Sequence, residues 1–193
     1  ETLIGGAGND TLKGSNGDDS LRGGADNGHL EGNRGRGNYH CNRGEGSDTI
    51  NDYDSYDTRY GGTTDKLVFG SGISASDIGY VRQGQHLVFS IAATGETVTV
   101  QNWFSGGAYQ LDAVEFADGG SLDLVAVDAA VRVLEGNEDA NTITGYETHE
   151  TLIGGAGNDT LKGSNGDDSL HGGADNDHLE GNRGSDTYHY NLG

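Results

Sequence analysis

Four aspartates, Asp159, Asp168, Asp177 and Asp186, recur every nine residues, each at the sixth place of a row that opens with glycine. The rows run without remainder from Gly154 to His189: GGAGNDTLK (154–162), GSNGDDSLH (163–171), GGADNDHLE (172–180) and GNRGSDTYH (181–189). Glycines at first, second and fourth places (Gly154, Gly155, Gly157, Gly163, Gly166, Gly172, Gly173, Gly181, Gly184) allow positive φ, so six residues can close a tight turn with carbonyls directed inward. An aspartate added to that ring of carbonyls makes an all-oxygen cage. Calcium, which takes about six to eight oxygens, suits such a cage, whereas magnesium prefers fewer protein ligands and keeps its waters.

The last three places of each row carry the elements that must hold these turns. They read as a short strand, and period-two alternation sends the eighth residue inward: Leu161, Leu170, Leu179 and Tyr188. A flexible Gly/Asp-rich linker would carry no apolar residue every nine positions. The pattern resembles the nonapeptide of RTX (repeats-in-toxin, haemolysin-type) calcium-binding proteins. That resemblance implies a parallel β-roll in which two rows make one coil and each calcium lies between a turn and the next turn on the same edge. It therefore implies that Asp159 pairs with Asp177, and Asp168 with Asp186. One large apolar side chain per nine residues is a thin core, and aspartates stacked on strands ~4.8 Å apart repel unless a cation lies between them. Folding and calcium binding are expected to be one equilibrium.

Residues 1–40 repeat 150–189 almost letter for letter, at an offset of 149. In this first block Gly5, Gly6 and Gly8 open the turns, Asp10 and Asp19 supply acids, and Leu12, Leu21, Leu30 and Tyr39 point inward. Gly28 and Gly37 stand where the second block has Asp177 and Asp186, Arg36 replaces Ser185, and Cys41 replaces Tyr190. After a two-residue slip, residues 44–50 read as one further row with Asp48 as ligand and Ile50 inward. With one acid per pair the first block should bind calcium more weakly. Gly28→Asp, Gly37→Asp and Arg36→Ser together are expected to add tightly bound ions.

Between the blocks, short alternating runs such as Leu87 to Ile91 and Thr97 to Phe104, separated by Gly-containing turns, predict a small antiparallel sheet that caps or extends the first roll. The runs 64–69, 98–104 and 114–119 resemble the domain that accompanies haemolysin-type repeats, which implies no defined activity. Residues 121–134 predict one helix, capped by Ser121, with Leu124, Val127, Val131 and Leu134 on one face and Gly136 ending it. Two degenerate rows (136–144 and 145–153) then complete a second roll of six rows, with Glu150 a weaker ligand opposite Asp168. The expected fold is all-β: two parallel β-roll blocks, 1–51 and 136–193, flanking a small antiparallel β domain with one short helix at 52–135.

The net charge of −20, from 31 acids against 11 Lys and Arg, argues against nucleic acid or an anionic membrane as partner. One cysteine, Cys41, excludes an intrachain disulfide, and its small side chain in an aromatic's place reads as packing. No apolar run approaches the ~20 residues of a membrane-spanning helix. A start at Glu1 with neither Met nor a signal peptide reads as a piece of a longer chain. No catalytic pattern is present: Ile153 stands where a zinc-protease helix beginning at His149-Glu150 needs its second His, and no G-x-S-x-G elbow occurs. His40, His171 and His189 occupy ninth places, facing outward. Trp103 and Phe104 are expected in the core. The resemblance implies a non-catalytic calcium-folded module of a large secreted bacterial protein, unfolded for type I export and folded by extracellular calcium. Its partners would be calcium and neighbouring repeats of the parent chain. The alternative is an adhesion module that recognises polysaccharide or a cell surface.

Overall fold

The computed structural model describes residues 1–53 and 64–190. Its chain divides into two compact units, Glu1–Val127 and Asp128–Gly193.

In the second unit, consecutive strands alternate between two parallel sheets. One holds Val133–Glu135, Thr151–Gly155, Ser169–Gly173 and Thr187–His189; the other holds Thr142–Thr144, Thr160–Asn165 and His178–Arg183. Every pairing is offset by 18 residues, as in Leu134 beside Leu152, Leu152 beside Leu170, and Leu161 beside Leu179. Two nine-residue rows thus make one coil of a parallel β-roll. The eighth-place residues meet inside: Leu152, Leu161 and Leu170 are fully buried, with Leu134, Ile143 and Leu179 packed on them. Tyr188, in the last described strand, remains 40% exposed.

The first unit begins the same way. Strands Thr2–Ala7, Asp19–Ala25 and Gly37–Cys41 stack in one sheet, and Thr11–Lys13, His29–Glu31 and Asp48–Ile50 in the other. Leu21, Leu30, Tyr39 and Ile50 fill its interior. The intervening segment then extends both sheets. Lys66–Phe69 pairs in parallel with the Gly37–Cys41 strand and Ala113–Phe116 in parallel with Lys66–Phe69, while Thr97–Val100 pairs in parallel with Asp48–Ile50. Among the described residues, antiparallel pairing is confined to the run Ile78–Gln83, His86–Ile91, Thr97–Val100 and to Ser121–Leu122 beside Ala113–Phe116. The apolar alternation of these strands serves either direction, so it could not by itself distinguish a parallel extension from a separate antiparallel sheet. Phe69 stacks on Phe116 at 5.4 Å, and Trp103 and Phe104 are buried, the Arg82 guanidinium lying 4.0 Å from the Phe104 ring centre.

The helix is shorter than the sequence predicts, covering only Leu124–Ala130. Ser121 is in a strand rather than at the cap. Asp123 takes the capping role, its Oδ1 accepting from the N–H groups of Val125 and Ala126 at 3.0 and 3.2 Å. Leu134 leaves the predicted helical face because the roll offers it a larger apolar contact, against Leu152. No helix among the described residues is long and apolar enough to cross a membrane.

Candidate metal centre

Each sixth-place aspartate of the second block makes the same two-sided contact. One oxygen accepts a backbone N–H from the turn one coil earlier: Asp159 from Asn141 and Asp168 from Glu150 at 2.8 Å, Asp177 from Asp159 and Asp186 from Asp168 at 3.0 Å. This ladder brings together the predicted pairs Asp159 with Asp177 and Asp168 with Asp186. The second oxygen folds back over the first glycine of its own row, so that a Cβ on Gly154, Gly163, Gly172 or Gly181 would strike it. The carbonyls of Gly172 and Gly181, one coil on, close over the same spots at Gly154 and Gly163.

The reason for glycine differs between places. Gly155, Gly157, Gly166, Gly173 and Gly184 are left-handed, as the turn requires, as are Gly6 and Gly8 in the first block. The first-place glycines Gly154, Gly163, Gly172, Gly181 and Gly5 are not left-handed, contrary to the sequence expectation; a carboxylate fills the space their side chain would need.

Asp159 and Asp168 are 1% and 2% exposed, and the Oδ2 of each is buried with no hydrogen-bond partner, as are those of Asp10, Asp19 and Asp48. An orphaned buried anionic oxygen is among the most unfavourable groups a protein can hold. Burial, followed by the charges of Glu150 and Asp186, raises the Asp168 pKa; burial pushes that of Asp48 up to about 6. Among the described residues, no three His, Cys, Asp or Glu side chains converge into a cage. An ion here would have to draw on carbonyls as well as carboxylates, which is the donor set of calcium. Glu150 does fold back over Gly145, yet its two oxygens already accept from Tyr146 N–H at 3.1 Å and from the Thr148 hydroxyl.

In the first block the register sets Asp19 against Gly37, and Gly28 donates its N–H to Asp48 at 2.8 Å. Arg36 meets Asp18, 3.8 Å away. Two ladder residues were missed from the sequence. Asp65 accepts from Gly37 N–H at 2.6 Å, and Asp112 accepts from Asp65 N–H at 2.8 Å, carrying the carboxylate column into the intervening segment. Spacing could not reveal them, because long insertions separate them from the rows. The triplet acid–any–apolar could have: Asp65-Lys66-Leu67 and Asp112-Ala113-Val114 repeat Asp159-Thr160-Leu161 and Asp48-Thr49-Ile50.

This geometry also revises the repair of the first block. A Cβ at Gly37 would lie 2.9 Å from the ring of Tyr39, which is fully buried and donates its hydroxyl to Asp52 at 2.6 Å. Gly37→Asp should therefore destabilise the unit by about 1–3 kcal/mol through overpacking. At Gly28 the obstacle is mainly the Asp48 carboxylate, at 2.8 Å. Gly28→Asp alone should raise calcium affinity, and calorimetry of the two single variants would check the contrast. Cys41 is 3% exposed, and burial pushes its thiol up to about 12, as a packed and unreactive residue requires.

A roll of two-row coils with a column of half-satisfied carboxylates at its turns defines a calcium-binding repeat protein. The family comparisons make the same assignment: the RTX calcium-binding nonapeptide repeat matches residues 1–36, 133–161 and 153–188, and the haemolysin-type calcium binding protein related domain matches 86–125. The chain belongs to the haemolysin-type (RTX) calcium-binding repeat family. It is 37% identical over 111 residues to the iron-regulated protein FrpA of Neisseria meningitidis serogroup C, a match that covers 56% of this chain and 9% of FrpA. The chain thus matches less than a tenth of that relative's length. Among solved structures, the extracellular lipase LipA of Serratia marcescens overlaps 92% of this chain and 28% of its own, with 17% identity and a TM-score of 0.38, a likeness too low to carry an argument.

Proposed function

We propose that the chain is a non-catalytic, calcium-folded module of a larger secreted bacterial protein, which stays unfolded where calcium is scarce and folds once outside the cell. The observation that carries this reading is the buried, unpartnered Oδ2 of Asp159 and of Asp168, each set against a glycine and facing a carbonyl from the next coil. In this reading Asp159 with Asp177, and Asp168 with Asp186, hold calcium together with carbonyls of the turns opened by Gly154, Gly163, Gly172 and Gly181. Asp10, Asp19 and Asp48 hold it more weakly, and Glu150 contributes least because its oxygens are already engaged. Calcium supplies the positive charge that the carboxylate columns lack. The chain's own residues supply the stacked turns and the apolar filling that make binding cooperative.

Circular dichroism during calcium titration tests the proposal. In excess chelator the chain should show little β signal, and calcium at roughly 10⁻⁴–10⁻³ M should restore it, with magnesium a poor substitute. Full β content in chelator would overturn the reading.

A further inference from the structure

The outer face of the second roll carries a pair of histidines that the calcium cages do not use. His171 and His189 lie directly across from one another on the strands Ser169–Gly173 and Thr187–His189. Their rings stack with centres 3.8 Å apart and planes 4° from parallel. The Nε2 atoms of both reach the same hydroxyl, Ser169 Oγ, each at 3.1 Å. A hydroxyl has one proton to give, so it donates to one imidazole and accepts from the other. Both nitrogens therefore lie on the same side of the pair, within reach of one hydroxyl.

We propose that His171 and His189 form a site for a divalent transition ion such as Zn²⁺, separate in place and chemistry from the calcium cages. Neutral imidazole nitrogen suits zinc, copper and nickel, whereas calcium takes oxygen ligands. Two imidazoles on one tetrahedral zinc, at bonds of about 2.0–2.1 Å, hold their nitrogens roughly 3.3 Å apart. In the stack the ring planes, and with them the nitrogen lone pairs, are parallel, so both side chains must rotate about their Cα–Cβ and Cβ–Cγ bonds, giving up the stack and the Ser169 contacts, to aim at one ion; the strand register does not change. Water would complete the coordination. The column that contains the pair, Glu135–Ile153–His171–His189, has no cation to repel the ion.

The first block supplies a contrast within the same chain. Its corresponding positions are Arg22 and His40, also paired across the sheet. Arg22 carries a permanent positive charge, is bonded to Glu45 through Nε at 2.7 Å, and lowers the pKa of His40 after burial does. No two-imidazole site is formed there. A bound ion on the second roll would clip together its two adjacent outer strands.

Calorimetric titration of the full chain with zinc, in buffer already saturated with calcium, tests the assignment. Wild-type protein should show one zinc site that weakens at least tenfold in His171→Ala and in His189→Ala and is unchanged in His40→Ala. Calcium-dependent circular dichroism of each variant checks that the roll still forms; both changes are at outward positions and should leave it intact. No zinc heat in the wild type, or a site that survives in folded His171→Ala and His189→Ala, would overturn the proposal.

Discussion

Asp159→Asn combined with Asp168→Asn should raise the calcium concentration needed for half-folding of the second unit by on the order of 10–100-fold, because ligand charge sets the affinity of such sites. The substitution is nearly isosteric. An asparagine Oδ1 can still accept the backbone N–H that Asn141 or Glu150 donates, so the turn-to-turn ladder survives. The change falls on Oδ2, which is buried without a partner in both residues and sits where the carbonyls of Gly172 and Gly181 approach. Replacing that anionic oxygen with an amide removes a ligand and one negative charge from each cage. The metal-free chain should lose nothing, since a buried unpaired charge has been taken away. Calcium titrations followed by circular dichroism would read both effects. A midpoint within twofold of wild type would show that these carboxylates do not ligand the ion.

The contribution of Asp52 to the stability of the first unit should fall as pH rises from about 4 to about 8, by up to ~1.4 kcal/mol per pH unit, and Asp52→Asn should remove it. Asp52 is 2% exposed and accepts the Tyr39 hydroxyl. Burial, followed by the charge of Asp65 and more weakly that of Asp112, pushes its carboxyl up from 3.8 to about 8. A group that binds its proton more tightly when folded stabilises the fold most below its unfolded pKa. That contribution is lost as pH rises through the folded value. Calcium ligands act in the opposite direction, because protons compete with the ion, so the Asp52 component is the difference between wild type and variant at saturating calcium. Asparagine keeps an acceptor for Tyr39, so the variant should be the more stable protein above pH 8. Urea unfolding at pH 6 and pH 9 measures it; an identical pH dependence in the two proteins would show that Asp52 ionises freely.

The sequence alone determined the second roll nearly residue by residue. A strict nine-residue period fixes which side chain faces inward, and a one-residue slip would turn Leu152, Leu161 and Leu170 outward, so register admits little choice. Acid type and position likewise mark the residues of the two columns, Asp159 with Asp177 and Asp168 with Asp186, while the 18-residue offset that stacks them was implied by the family resemblance and is seen in the strand pairing.

The tertiary structure decided what periodicity does not encode. It joined Lys66–Phe69, Ala113–Phe116 and Thr97–Val100 in parallel to the first roll while Ile78–Gln83 and His86–Ile91 stayed antiparallel, because alternating runs fit either direction and the free edges that Gly37–Cys41 and Asp48–Ile50 would otherwise present select the parallel one. It drew Leu134 out of a helical pattern and into the roll's core, where burial outweighs local propensity. It also brought Asp65 and Asp112, far apart along the chain, into the carboxylate column that begins at Asp19. Their triplets were visible in the sequence, but only the folded sheet places them one strand apart. The first-place glycines make the same point on a smaller scale: the sequence suggests a turn, and the structure shows the space above them taken by a carboxylate.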